Sequence, residues 1–152
     1  MPKQSAGILM YRRAEGELLV LLVHPGGPFW AKKDLGVWSI PKGEYAGGED
    51  PLAVAVREFA EETGTTPEGE FRPLGEIAQR GGKKVRAWAV EGKFDPAELK
   101  SNVFAIEWPP KSGRKQSFPE VDRAAWFPVE QARERILPSQ RELIDRLERM
   151  LG

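Results

Sequence analysis

Three glutamates, Glu58, Glu61 and Glu62, stand at i, i+3 and i+4 in the run PLAVAVREFAEETG. On a helix that spacing stacks the side chains along one face. Like charges so placed repel one another and raise each other's pKa unless a cation sits among them. Arg57 is a neighbouring cation, but converging hard oxygen ligands suit Mg²⁺, with Mn²⁺ as a substitute, better than a guanidinium alone. The alternative for an isolated acidic run is a solvated helix face. Upstream, Lys42 is placed to reach a phosphate held at such a metal. Trp30 and Lys32, in a glycine- and proline-rich stretch, can stack a base and meet its phosphates, or Trp30 can simply pin the loop to the core. Arg114 lies in the basic stretch KSGRKQS, which reads as a flexible loop able to act as a phosphate-contacting lid.

These groups need a frame. Asp50 as an N-cap oxygen, Pro51 at the first helical position and Gly64 as a left-handed C-terminal stop predict a helix of about thirteen residues. Leu52, Val56, Phe59 and Ala60 recur at helical spacing and predict its core stripe. Residues 5–12 and 17–24 are apolar, strand-forming runs around a turn-like RAEG, which predicts a hairpin with a buried second strand. Residues 25–36 should be a loop and residues 37–40 a strand delivering Pro41, Lys42 and Gly43 to the acidic helix. Residues 71–79 and 84–91 predict a second hairpin around Arg80-Gly81-Gly82-Lys83. Residues 102–108 predict a strand ended by Pro109 and Pro110, residues 111–117 the flexible loop, and residues 124–127 a short strand. A short helix is expected over 129–137. A last one, capped by Ser139, runs to Met150 with Leu143, Ile144, Leu147 and Met150 as its stripe. Hairpins, a central helix and terminal helices make an α/β chain with a mixed sheet and helices packed on its faces.

Composition narrows the chemistry. The 152 residues fit one domain spanning 1–152. With 23 basic and 23 acidic residues, nothing supports a broad nucleic-acid surface. Cysteine is absent and His24 is the only histidine, so any bound metal must be held by oxygen. No apolar run is long enough to span a membrane, and the start MPKQSAGILMYRR lacks the apolar core of a secretion signal, so a cytoplasmic location is expected. Oligomeric state is open.

The acidic helix lies inside a longer pattern. Gly43, Glu49, Arg57, Glu58, Phe59, Glu61, Glu62 and Gly64 resemble the signature of the Nudix hydrolases, G-x5-E-x7-R-E-U-x-E-E-x-G-U with U a bulky apolar residue. Thr65 departs from it where an aliphatic residue is usual. The resemblance implies an α/β/α sandwich and a pyrophosphohydrolase that cleaves a diphosphate linkage in a nucleoside diphosphate derivative. It implies Glu58 and Glu62 as the main metal ligands, Glu61 and the Gly43 carbonyl completing the set, Arg57 orienting a glutamate, and Glu49 supporting the loop. Members differ in where the general base lies; Glu120 is the candidate outside the helix, with Asp122 its competitor. Substrate markers for ADP-ribose, for one group of dinucleoside polyphosphates and for NADH are missing. The WSIPKGEY context places nucleoside triphosphates and dinucleoside polyphosphates first. A nucleotide-sensing module that keeps the fold without turnover is the alternative.

Overall fold

The computed structural model describes residues 3–152. In chain order the strands are β1 (Gln4–Ala14), β2 (Glu17–Pro25), β3 (Lys42–Tyr45), β4 (Arg72–Ala78), β5 (Lys84–Glu91), β6 (Val103–Glu107), β7 (Lys115–Pro119) and β8 (Val121–Pro128). The helices are α1 (Pro51–Thr63), α2 (Val129–Arg135) and α3 (Arg141–Leu151). Strands β4-β5-β1-β2-β8, with β3 added beside β1, form one six-stranded mixed sheet, and β6-β7 form a separate two-stranded ribbon. The β1–β5 pairing is parallel and the other pairings in the large sheet are antiparallel.

Alternation along the central strands splits the core in two. Ile8 and Met10 of β1 and Leu21 and Val23 of β2 face Val54, Ala55 and Phe59 of α1. Leu9, Tyr11, Val20 and Leu22 face the other way, onto Ala132 of α2 and Leu143, Ile144 and Leu147 of α3. Successive strand side chains point to opposite faces, so a strand covered by helices on both sides reads as a continuous apolar run. The result is the expected mixed α/β sheet between helical layers. Phe59 is wholly buried at the centre of the α1 face, a burial worth roughly 2–3 kcal/mol.

The two hairpins form as the alternation predicts. Glu15 and Gly16 take positive φ of 51° and 82° at the β1–β2 turn, the geometry that suits the twist of tightly joined strands. Other expectations are corrected. The strand before α1 is not residues 37–40: Trp38 and Ser39 make only isolated bridges, and β3 begins at Lys42. Residues 39–41 instead run between the diverging β1 and β2, with Ile8 N–H donating to the Pro41 carbonyl at 3.1 Å and Val23 N–H to that of Ser39 at 2.9 Å. The basic stretch at 111–117 is not all loop, because Lys115–Pro119 pairs with Val103–Glu107 as the ribbon. The short strand expected at 124–127 extends over Val121–Pro128, since β2 offers it a long edge.

Two caps also differ. Asp50 occupies the N-cap position of α1 without a side-chain hydrogen bond, so Pro51 and the Gly64 stop, at φ 84°, define that helix. Ser139 sits inside a 3-10 turn, Pro138–Gln140, and Gln140 precedes α3. Gln140 is fully buried. Its amide accepts from Ile40 N–H at 3.1 Å and donates to Ser39 Oγ at 3.0 Å, tying α3 to the segment that enters β3.

Candidate active site

The acidic helix is rotated from the phase expected for it. Its buried residues are Val54, Ala55, Phe59, Glu62 and Thr63, while Leu52, Val56 and Ala60 are only partly covered. Glu62 therefore lies on the core-facing side, 7% exposed. Its Oε2 accepts from Lys42 N–H at 3.3 Å. Burial, reinforced by the charges of Glu58 and Glu120, pushes the Glu62 carboxyl up to about 9, with Lys42 acting in the opposite sense. Glu58 is raised to about 7, first by burial, then by the adjoining Glu61 carboxyl and by Glu120, against Arg57. Desolvated carboxylates held together disfavour their own ionisation, which is the electrostatic deficit that a cation corrects.

The glycine of β3 has a steric reason. A Cβ on Gly43 would lie 1.8 Å from Glu58 Oε1 and 2.1 Å from its Cδ, so the Glu58 carboxyl occupies the space that a side chain at 43 would fill. Arg57 reaches three carboxylates, with Nη1 3.6 Å from Glu49 Oε2 and Nε 3.9 Å from Glu58 Oε2 and 3.8 Å from Glu61 Oε1. Glu49 uses its other oxygen to accept from Ala46 N–H at 2.9 Å, closing the turn ahead of α1. Among the described residues no three acidic or imidazole side chains already form a cation cage. The donor set nevertheless fits a hard divalent cation. Glu58 and Glu62, whose proton affinity is raised first by burial and then by neighbouring carboxylates, are backed by Gly43 and Glu61, and all offer oxygen.

Glu120 joins this group through the backbone. Asn102 N–H donates to the Glu61 carbonyl at 2.9 Å, Glu120 N–H to the Asn102 carbonyl at 2.9 Å, and Gly26 N–H to the Glu120 carbonyl at 2.8 Å. That ladder pins the residue between the end of α1 and the end of β2. Burial raises the Glu120 carboxyl, with Glu61 adding to the effect. Asp122 is turned elsewhere: its Oδ1 lies 2.7 Å from Nδ1 of buried His24, whose Nε2–H donates to the Lys33 carbonyl at 2.6 Å. His24 thus links the start of β8 to the loop carrying Trp30. No spacing signal marks this pair, which are 98 residues apart in sequence.

A cavity of about 470 Å³ is lined by Glu62, Glu120 and Lys42 together with Trp30 and Phe104. Trp30 is 39% exposed, and Lys33 Nζ lies 5.2 Å from its ring centroid. The ribbon contributes Phe104 to the cavity, and the residue that follows β6 meets the Trp30 loop, where Phe29 and Trp108 contact edge-on at 5.1 Å. Of the expected substrate contacts, Lys42 and Trp30 line this cavity, whereas Lys32 and Arg114 do not. Arg114 belongs to the turn of the ribbon, its carbonyl accepting from Trp108 N–H at 2.8 Å. Phe104, read from sequence only as a strand residue, is a cavity residue; its alternation with Ala105 was the available signal.

A model of the NUDIX domain matches residues 1–147 of the chain. The chain is 31% identical over 116 residues to the 8-oxo-(d)GTP phosphatase of Mycolicibacterium smegmatis, a match covering 72% of this chain and 29% of that protein, so it spans under a third of that relative's length. The Ap4A hydrolase of C. elegans in a binary complex superposes with a TM-score of 0.66 at 21% identity, over 98% of this chain and 97% of that one. The NUDIX domain of Shewanella oneidensis NrtR, complexed with ADP ribose, superposes with a TM-score of 0.70 at 17% identity, over 100% and 90%. The two superpositions establish the shared fold. The family match runs over nearly the whole chain, and the structure gathers the signature residues Gly43, Glu49, Arg57, Glu58, Glu61 and Glu62 into one cluster: the chain belongs to the NUDIX family.

Proposed function

We propose that this chain is a pyrophosphohydrolase that cleaves a phosphoric anhydride bond in a nucleoside diphosphate derivative, with nucleoside triphosphates and dinucleoside polyphosphates as the substrate class. The observation that carries the reading is the cavity lined together by buried Glu62, half-buried Glu120, Lys42 and the aromatic side chains of Trp30 and Phe104. Clustered carboxyls whose ionised form is disfavoured by burial and by one another are stabilised as anions by a cation, and the aromatic walls offer a face to a base. The family kinship and the similarity to an 8-oxo-(d)GTP phosphatase and an Ap4A hydrolase support the same substrate chemistry.

In this reading Glu58, Glu62 and the Gly43 carbonyl, with Glu61, hold Mg²⁺ or Mn²⁺. When bound, such an ion supplies charge neutralisation on the phosphate oxygens and acidifies water. Arg57 holds Glu58 and Glu61 in place, and Glu49 fixes Arg57 and the turn before the helix. Trp30 and Phe104 stack the base, and Lys42 meets the phosphates. Glu120 takes a proton from the attacking water; its raised affinity for a proton and its ladder to Glu61 favour it over Asp122, which His24 occupies. Water attacks one phosphorus, the P–O bond to the bridging oxygen breaks, and two phosphorylated products leave.

A panel of nucleoside triphosphates, dinucleoside polyphosphates and nucleoside diphosphate sugars, incubated with Mg²⁺ or Mn²⁺ in ¹⁸O-water, tests this. The expected result is metal-dependent cleavage with label in one phosphate product. Binding of nucleotides with no cleavage under any metal would instead assign a sensing module.

A further inference from the structure

A second and larger hollow, of about 680 Å³, lies beside the first, between the start of β1, β3, the β4–β5 turn and the 3-10 turn ahead of α3. Its walls carry Lys3, Lys42, Arg80 and Lys83, against the single carboxylate of Glu44. Glu44 is matched by Lys3 at 3.7 Å. Among the described residues Arg80 and Lys83 make no ion pair, so two uncompensated cations face this hollow beside Lys42, whose charge also acts on Glu62, in a chain of formal net charge zero. Cations left unpaired around a concavity are a site for an anion. The site is braced. Gln79 N–H donates to the Lys83 carbonyl at 2.6 Å, closing the turn that carries Arg80 and Lys83, and the Gln79 amide donates to Ser139 Oγ at 3.1 Å across the cavity rim.

The two hollows are contiguous, because Lys42 and Leu137 line both. Lys42 is also the residue whose N–H meets Glu62. A chain of phosphates whose reacting part lies at Glu58 and Glu62 therefore continues, past Lys42, onto Arg80 and Lys83. A diphosphate ester has no charge left to place there, whereas a chain of four or more phosphates does. We infer that the second cavity is a subsite for the distal phosphates of an extended polyphosphate substrate, and that Arg80 and Lys83 select for chain length. The inference rests on the proposed hydrolase reading and deepens its substrate class.

The test compares ATP, adenosine 5′-tetraphosphate and adenosine 5′-pentaphosphate as substrates for the wild-type chain, for Arg80→Ala/Lys83→Ala, and for Arg13→Ala as an exposed control on the β1–β2 hairpin. In the wild type KM should fall with chain length. In the double variant KM for the pentaphosphate should rise about tenfold, with kcat retained, while Arg13→Ala behaves as wild type. A readout without turnover accompanies it: in EDTA, inorganic tetrapolyphosphate should raise the melting temperature of the wild type and not that of the double variant. Turnover by the wild type with KM independent of chain length, or unchanged in the double variant, overturns the subsite and leaves the hydrolase reading standing. No wild-type turnover of any nucleotide with Mg²⁺ or Mn²⁺ overturns the hydrolase reading and the subsite with it.

Discussion

Glu62→Gln should stabilise the metal-free protein and abolish its metal-dependent turnover. In the fold the Glu62 carboxyl titrates at about 9, against an ordinary value of 4.5. Between those values the folded state holds one more proton than the unfolded one. The contribution of this group to stability without metal is therefore fully present below pH 4.5 and is lost as pH rises through about 9. At pH 7.5, three pH units above the ordinary value of 4.5, taking up that proton costs about 4 kcal/mol at roughly 1.4 kcal/mol per unit. Glutamine needs no proton, and its amide oxygen can still accept from Lys42 N–H, which lies 3.3 Å from Oε2. Allowing about 1 kcal/mol for the less favourable second amide group leaves a gain of about 3 kcal/mol, or roughly 6–12 °C for a domain of this size. The assay is thermal melting of both proteins in EDTA from pH 6 to 9, repeated with Mg²⁺. The wild-type midpoint should fall as pH rises, the variant's should fall much less, and Mg²⁺ should raise the wild type preferentially by mass action. A variant that melts below wild type in EDTA at pH 8, or a wild type with no pH dependence, refutes the argument that Glu62 is a desolvated carboxylate awaiting a cation.

Three further outcomes are expected. Gly43→Ala places a Cβ 1.8 Å from Glu58 Oε1, so the flexible carboxyl must move; half-saturation by Mg²⁺ should rise about 10–100-fold, with a melting temperature close to wild type, and an unchanged metal titration removes Glu58 from the site. Glu120→Gln should lower kcat about 10²–10⁴-fold and abolish the acidic limb of the pH–rate profile; a profile identical to wild type returns the base to the helix. Trp30→Ala should raise KM for a nucleotide about tenfold, in line with the loss of one stacked base, at nearly constant kcat, and an unchanged KM leaves Trp30 as a loop anchor only.

Local chemistry was legible wherever a rule acts over a few residues. Pro51 and Gly64 delimit α1, alternation marks both hairpins, and the spacing of Glu58, Glu61 and Glu62 puts them on one helix. Rotational phase was not legible, because Phe59 belongs equally to a stripe with Leu52 and Val56 and to one with Ala55 and Glu62. Only packing against Ile8, Met10, Leu21 and Val23 chooses the second, which buries a carboxyl group. The strand KGEY and the strand KQSFP carry no apolar alternation, and they pair because β1 and β6 present open edges to them.

The sequence by itself determined the family signature and its carrier: a punctuated helix with three glutamates at i, i+3 and i+4, in a chain without cysteine or a second histidine. What tertiary structure alone decided is everything that depends on residues far apart in the chain. It brought Glu120 to Glu61 through Asn102, turned Asp122 away to His24, put Phe104 and Trp30 in one cavity, and gathered Lys42, Arg80 and Lys83 around a second hollow. The physical reason is range: helix period and turn geometry are set by neighbours in sequence, whereas burial, and with it the proton affinity of Glu62, is set by whichever elements the folded sheet brings alongside.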